Sequence, residues 1–511
     1  MLGPGNSSLS YWTPWATMAT ALVRYVRWKV EIAWKRTFSS SLVYARCGDA
    51  FSQVNGLHIV KGVTTPSTKP SLLEMWNETA RVIRLEYDRK ISEPLGGITS
   101  CLADIVLENT DNRFTPNHDS TIGTALLPKR PVTAEIGFYA DSTERNISIF
   151  KGLSQMPEES KAGRTLTIPA KDYVEFLNSY ALEPAIYVDK RTDEIIEDIL
   201  ITAGFSAPSY ELDEALNTPS FVHFDRDETA GDRIRVLCEA EEGHFFQDEN
   251  AVLRYHNRRR YGVYPYTTSM WDINPSDIIA WETMPNTQII NKCTVRTQPR
   301  TVQDLQEVWR RHDEFTIAIG ATATVLAKLS DPCLVIAGLI ATTDYTAYTG
   351  EDSTGLDKTA DMVVTTEGFA TEVKITIKNN SGALVYIPLL KIRGKPATVE
   401  GPITATYEDS SSINKYDLQE FSFENDYIDD AVFALALVTH VVNKYKEPLR
   451  RVRLTVQGQP HFQVKDKVRV KDPDTSTFAN YRIMQIQGTL SEGLFIQDLI
   501  VRAIEDNEYD S

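Results

Sequence analysis

The sequence predicts a mainly β fold with an α/β middle region, on three observations. Apolar and polar residues alternate with period two in short runs near both ends of the chain, the pattern of strands with one buried face. Helical spacing with capping residues is concentrated between Asp172 and Glu242 and returns once nearer the C-terminus. Hydrophobic (42%) and charged (24%) contents are those of a folded chain, and 511 residues allow several domains of roughly 100–200 residues each.

Residues 1–25 read as an N-terminal arm. Trp15–Val23 is apolar, but no basic region precedes it and Arg24, Arg27 and Lys29 follow at once, which is not the layout of a targeting segment. No apolar run reaches the ~20 residues of a membrane helix. From Val26 the alternation is clean: Val26, Trp28, Val30, Ile32 and Trp34 share one face, and Arg27, Lys29, Glu31 and Lys35 the other. Strands are predicted at Arg81–Tyr87, Ala103–Glu108, Val132–Tyr139 and Ile147–Gly152, with turns at Gly96-Gly97 and Asp141-Ser142, so that 26–169 forms one β unit. The α/β region, 170–277, holds helices over Asp172–Tyr180, over Asp193–Ala203 (capped by Thr192, stopped by Gly204) and over Ala230–Glu242 (stopped by Gly243). A strand follows at Val252–His256. Between 301 and 419 β character returns. Thr371–Lys378 alternates, and Asn379-Asn380-Ser381-Gly382 reads as the turn of a hairpin with Ala383–Ile392. Tyr345–Asp361 and Glu408–Asn414 are polar and read as loops. Residues 420–450 carry the longest helix signal, Asp426–Lys444, with Ile428, Val432, Leu435, Val438 and Val442 on its apolar stripe and Pro448 beyond it. Strands close the chain at Arg451–Val456, Lys467–Val470, Tyr481–Gly488 and Leu494–Ala503, before an acidic tail over 504–511.

The net charge of −17, from 53 basic and 70 acidic residues, argues against a protein that grips nucleic acid by its phosphates. It leaves open a channel through which DNA slides. Cys47, Cys101, Cys238, Cys293 and Cys333 are dispersed, with no CxxC pair, which fits a reducing cytoplasm and neither a disulfide framework nor a zinc site. The eight histidines form no HExxH, and His223, His244 and His256 lack ligand spacing. There is no GxSxG elbow and no P-loop. Cys238 lies on the apolar face of a predicted helix, where a structural thiol is expected. Asp225, Asp227, Glu228 and Asp232 lack the glycine and closing glutamate of a calcium loop and suit a helix N-terminus. No catalytic, metal-binding or cofactor-binding residue is expected, and no cofactor. Arg258-Arg259-Arg260 is the one strong basic run. It fits a solvated turn or a contact between subunits, and the subunit contact is the expectation carried forward.

One stretch carries family information. It starts at Ala103-Asp-Ile-Val-Leu-Glu-Asn-Thr-Asp-Asn-Arg-Phe-Thr-Pro116, continues through Leu127-Pro-Lys-Arg-Pro-Val132 and ends at Phe150-Lys-Gly152. This resembles the minor tail proteins of long-tailed phages, with Lys129 where those proteins usually have glycine. Asn109, Asp111 and Asn112 can satisfy turn backbone groups. Arg113 can hydrogen-bond loop carbonyls, Phe114 can anchor the loop ahead of Pro116, and Pro131 can fix the opening of the next strand. Two further stretches are similar to the tail-tip hub proteins of the same group. These are Leu237–Arg254, and Gly458-Gln-Pro-His-Phe-Gln-Val-Lys-Asp-Lys-Val-Arg-Val470 with Lys465 at another common glycine position.

The resemblance implies two tube-like β-barrels per subunit. The first would be 26–169, the second 278–300 with 451–503, and 301–419 an inserted β-rich domain. It implies a homotrimer forming a ring of six barrels through heterologous interfaces, located at the virion tail tip and assembled in the host cytoplasm. The implied partners are the tape measure protein, the distal tail protein and tip fibre or receptor-binding proteins, with DNA passing through unbound. The alternatives are a distal tail ring protein, a hub whose insertion binds a host receptor or carbohydrate, and a hub fused to a cell-wall hydrolase. The last is disfavoured because the chain stops soon after its last predicted strand.

Overall fold

The computed structural model describes residues 27–36, 51–54, 57–60 and 73–504, apart from 117, 119–121, 123–125, 141–142, 226–227, 264–265, 286–288, 369 and 492. The expected arm over 1–25, the turn at Asp141-Ser142, Cys47, Asp227, the side chains of Trp28 and Trp34, and the tail beyond Ile504 lie outside the described residues.

The fold is mainly β. A 14-stranded sheet runs through both ends of the chain. From one edge its order is Ile278–Met284, Arg451–Gln457, Leu494–Ala503, Phe478–Ser491, Val82–Lys90, Leu102–Glu108, Thr165–Lys171, Thr143–Ser154, Pro131–Ala140, Arg27–Arg36 and Leu73–Asn77. Off this path Glu158–Ser160 pairs with Thr165–Lys171, Lys467–Lys471 with Phe478–Ser491, and Trp271–Ile273 with Lys467–Lys471. Alternation explains the strands: in Thr165–Lys171 Leu166, Ile168 and Ala170 are buried while their neighbours are partly exposed.

The two expected tubes are not separate. Antiparallel pairing from Gln485↔Lys90 to Ser491↔Arg84 joins the N-terminal and C-terminal halves edge to edge. Among the described residues the sheet is an open path and no sheet closes into a barrel. A strand that finds a partner edge in the other half need not close on its own half, since either pairing satisfies its backbone groups. One core accordingly spans both halves, with Ile105, Leu107, Phe114 and Phe150 in the same cluster as Leu454, Val468, Ile483 and Leu499. Of 278–300, Ile278–Met284 belongs to this sheet, whereas Lys292–Thr297 pairs with Ile403–Glu408 and Glu420–Glu424 in a three-stranded sheet.

A second core holds the middle region and the long helix. The helices are Tyr173–Ser179, Thr192–Thr202, Ala230–Glu239 and Ala431–Tyr445. Asp172 caps the first through Val174 N (3.2 Å) and Thr229 caps the third through Asp232 N (3.1 Å). Thr192 is the first helical residue rather than the cap. Its buried hydroxyl faces the Asn217 carbonyl (3.4 Å), and Glu194 Oε2 accepts from Arg191 N (3.2 Å) instead. The long helix begins late, at Asp430, whose carboxylate accepts from Val432 N (2.8 Å). Its buried side chains include Ala434, Leu437, Val438, Val441, Val442 and Tyr445; of the expected stripe Ile428, Val438 and Val442 are buried, whereas Val432 (75%) and Leu435 (47%) are exposed. Gly96-Gly97 is a point of close approach: Gly97–Ile98 pairs with His244–Phe245, and a Cβ on Gly96 (φ +81°) would collide with the Gly243 carbonyl.

The third core lies within the expected insertion. The expected hairpin is absent. Glu372–Asn379 pairs with Thr322–Lys328 and Met362–Gly368, while Val385–Val399 pairs with five other strands. Asn379 is the reason. Its buried amide donates to the carbonyls of Ile317 (3.0 Å), Ala318 (3.2 Å) and Ala383 (2.9 Å), which makes 379–382 a corner between two sheets. Two expected loops are also structured: Tyr345–Tyr348 is a strand, and Ser410–Tyr416 is a helix capped by Asp409 through Ser412 N (3.0 Å).

Candidate functional site: the motif corner and the buried junction

The stretch after Leu102–Glu108 forms a corner closed by its own side chains. Asn109 is buried, accepts from Phe114 N (2.9 Å) and donates to Thr115 Oγ1 and Glu159 Oε1 (3.2 Å each). Asp111, at the surface, receives both Nη atoms of Arg81 (2.9 and 2.6 Å) and the Arg113 N–H (3.2 Å). These bonds hold the Asp111 carboxyl below its ordinary range. Arg113 departs from expectation: it binds a carboxylate, Glu78 Oε1 (3.0 Å), rather than loop carbonyls. Phe114 is fully buried, with the guanidiniums of Arg81 and Arg113 each 5.8 Å from its ring. Pro116 is exposed, and Pro131 is buried where it opens Pro131–Ala140. Lys129 takes the left-handed conformation glycine favours (φ +60°) and donates N–H to the Ser154 carbonyl (2.6 Å). Gly152 is needed for contact, since a Cβ there would strike the Lys171 carbonyl.

Sequence reasoning did not find a buried ionic junction between the large sheet and the middle region. Glu93 receives Arg502 Nη1 (2.6 Å), Arg451 Nη2 (2.7 Å) and the Tyr445 hydroxyl (2.9 Å). Burial alone would raise the Glu93 pKa, but Arg502 and Lys444 hold it below the usual carboxylate range. Glu242 binds the Lys444 ammonium and lies 3.1 Å from His440 Nε2. Burial opposes its ionisation too, and Lys444 and His440 keep its pKa well below normal. Beside them Lys465 Nζ lies 2.9 Å from His244 Nε2. Lys465 is left-handed as well (φ +77°) and is buried. The one signal in the sequence was that both left-handed lysines stand at glycine positions of the resembled family; their burial and partners carried none.

The arginine run divides. Arg258 is buried, donates to the Glu241 carbonyl (3.3 Å) and lies over the Phe433 ring (5.3 Å). Arg260 pairs with Asp213 and lies over Tyr266 (5.5 Å). Arg259 is exposed. Cys238 is fully buried, which pushes its thiol pKa well up. Of the acidic cluster, Asp225 accepts from Thr371 Oγ1 (2.6 Å), Glu228 pairs with Arg233, and Asp232 Oδ2 accepts from Thr229 Oγ1 (2.8 Å). Among the described residues no group of three or more His, Cys, Asp or Glu is placed to hold a metal ion, and no helix is long and apolar enough to cross a membrane.

The structural neighbours of this chain are phage tail proteins and related assemblies. The 43 kDa tail protein of prophage MuSo2 from Shewanella oneidensis is 10% identical, with a TM-score of 0.46 over 86% of this chain and 97% of that one. A tail protein from Neisseria meningitidis MC58 is 10% identical, with a TM-score of 0.48 over 94% and 98%. An E. coli component of the type VI secretion system, described as structurally similar to phage T4 tail proteins gp27 and gp5, is 9% identical, with a TM-score of 0.37 over 84% and 75%. No family model and no curated protein matches the sequence.

Proposed function

We propose that the chain is a structural tail-tip hub protein of a long-tailed phage that joins the tail tube to the tip and lines part of the DNA exit channel. The observation that carries this is the convergence of three hub-like stretches that are far apart in sequence. The stretch 103–152 and the stretch 458–501 lie in one sheet over one core. The third stretch, 237–254, docks on both: Gln247 Nε2 donates to the Lys151 carbonyl (2.8 Å), Ser148 Oγ to the Glu249 carbonyl (2.7 Å), and His244 meets Lys465. Motifs scattered by chance through 511 residues have no reason to assemble.

On this reading the protein works by assembly, not catalysis. Three copies form a ring at the virion tail tip, assembled in the host cytoplasm. The ring binds the tape measure protein, the distal tail protein and tip fibre or receptor-binding proteins. The sheet ends in two different strands, Ile278–Met284 and Leu73–Asn77, and unlike edges favour heterologous contacts, which close rings. Of the arginine run only Arg259 is left for a subunit contact. The acidic chain lets duplex DNA pass without holding it. Native mass measurement of the assembled ring tests the proposal. A trimer is expected, whereas a hexamer would assign the chain to the distal tail ring. Tight duplex binding that weakens steeply with salt would refute the unbound channel.

A further inference from the structure

We propose that Lys465 is a carbon dioxide site, its buried side-chain amine adding reversibly to CO2 and holding the product as a carbamate at the junction. The assignment is independent of the tail-tip reading. It stands on the surroundings of one atom. Lys465 is 2% exposed and lines a cavity of ≈ 70 Å³ between the large sheet and the middle region, with Arg89, Arg254 and Tyr261 and the acidic residues Asp172, Glu249 and Asp466 among the other lining residues. A cavity of that size, walled mostly by apolar surface, holds a small uncharged molecule such as CO2. Among the described residues no carboxylate lies within 4.0 Å of Lys465 Nζ; its contacts are His244 Nε2 at 2.9 Å and the Tyr261 ring at 4.7 Å.

A buried ammonium without a counter-ion gives up its proton more readily than it gives up water. Burial first, and then Lys444, push the Lys465 pKa well down, with Arg502 and Arg482 acting in the same direction; Glu93 opposes them. That glutamate is already engaged by Arg502, Arg451 and Tyr445. His244 is likewise held neutral, by burial and then by Lys465, so its ring can accept the Lys465 N–H. The free amine is the nucleophilic form. The cations that remove its proton would also stabilise an anion in its place, which is what a carbamate supplies.

The step balances without an oxidant or reductant. The Nζ lone pair attacks the carbon of CO2 and a C–N bond forms. One C=O π pair moves onto oxygen, and one N–H proton is released to solvent. The product carries one negative charge where an uncharged amine stood.

The test uses the full chain equilibrated with ¹³C-labelled bicarbonate, trapped with a trialkyloxonium salt, digested and read by mass spectrometry. A labelled alkyl carbamate is expected on Lys465, enriched at least about tenfold over exposed Lys328, because each unit of pKa depression raises the free-amine fraction about tenfold. The excess should vanish in denaturant and fall severalfold in folded Lys444→Gln. Cyanate, which modifies free amines irreversibly, is the companion probe. Cyanate modification of Lys465 without trapped label would overturn the proposal, as would failure of both reagents or equal labelling of Lys328.

Discussion

Replacing Phe114 by alanine puts the motif corner under the strongest test. The ring is fully buried in the core shared by both halves of the large sheet, and its own N–H is held by Asn109 Oδ1 at 2.9 Å. Deleting a buried phenylalanine costs about 3–5 kcal/mol through lost transfer energy and the cavity left behind. Arg81 and Arg113 would each lose the ring 5.8 Å away, a further ~0.5–1 kcal/mol apiece at partly exposed sites. Both guanidiniums keep their carboxylates, Asp111 and Glu78, so no buried charge is orphaned and the upper end of the core range, about 5 kcal/mol, is the expectation. With a urea dependence of ~1–3 kcal/mol per molar, the unfolding transition of the large sheet should move down by more than about 1 M. Amides of 102–116 should exchange faster than those of the third core, which serves as an internal reference. A loss under about 1 kcal/mol, far short of the core range, with unchanged exchange over 102–116, would refute the reading that this ring anchors the corner.

Two further outcomes are expected. Lys129→Gly should stabilise the chain by roughly 0.5 kcal/mol, because an exposed left-handed non-glycine residue stores about 1 kcal/mol or more of strain and glycine returns part of that gain as lost chain entropy; equilibrium unfolding showing a loss would contradict it. Asp172 and Asp466 are each pushed up to about 7, first by burial. A carboxyl whose folded pKa is raised stabilises the fold fully below about pH 4, its unfolded value, and that contribution is lost as pH rises through about 7. Asp466→Asn should therefore gain stability relative to the parent as pH rises across this window, read as the difference between their unfolding midpoints, and a pH-independent difference would count against a buried neutral carboxyl.

The strands of the large sheet were legible because each buries one face, so period-two alternation survives into the burial pattern: Leu102–Glu108 and Arg451–Gln457 read as cleanly in space as in sequence. Pairing was not legible. Alternation says which face of a strand is buried but not which edge it meets. The union of Val82–Lys90 with Phe478–Ser491 links residues about four hundred positions apart and left no local trace. The hairpin after Asn379 failed for a related reason. Its turn residues were recognised correctly as turn formers, but the buried Asn379 amide bonds to Ile317 and Ala318, far upstream, and turns the chain into another sheet. The long helix was located but only partly faced: Val438 and Val442 are buried as expected while Val432 and Leu435 are exposed, since an almost uniformly apolar segment offers several stripes and tertiary contacts choose among them.

The same distinction separates what could be foreseen at the site from what could not. The motif corner is local. Asn109, Asp111, Arg113 and Phe114 act on one another and on Arg81 and Glu78, so residue type and spacing were enough to anticipate a closed loop, but the partner of Arg113 was misjudged and Asn112 serves the turn through its backbone, at φ +59°, rather than through its side chain. The junction is assembled from Glu93, Glu242, Lys444, Lys465 and Arg502, each an ordinary surface residue by type. Charged side chains are almost never fully buried unless paired, and pairing across such distances leaves no periodicity to read. The departures from the glycine pattern of the resembled proteins were the available clue. A lysine in a left-handed position is backbone strain held in place by its surroundings, and at Lys465 those surroundings are the cations, imidazole and cavity of the junction itself. Exposed Lys129 has no such surroundings. If the same φ is maintained for different reasons at the two positions, substitution by glycine should be favourable at 129 and should remove a buried amine, with its pH dependence, only at 465.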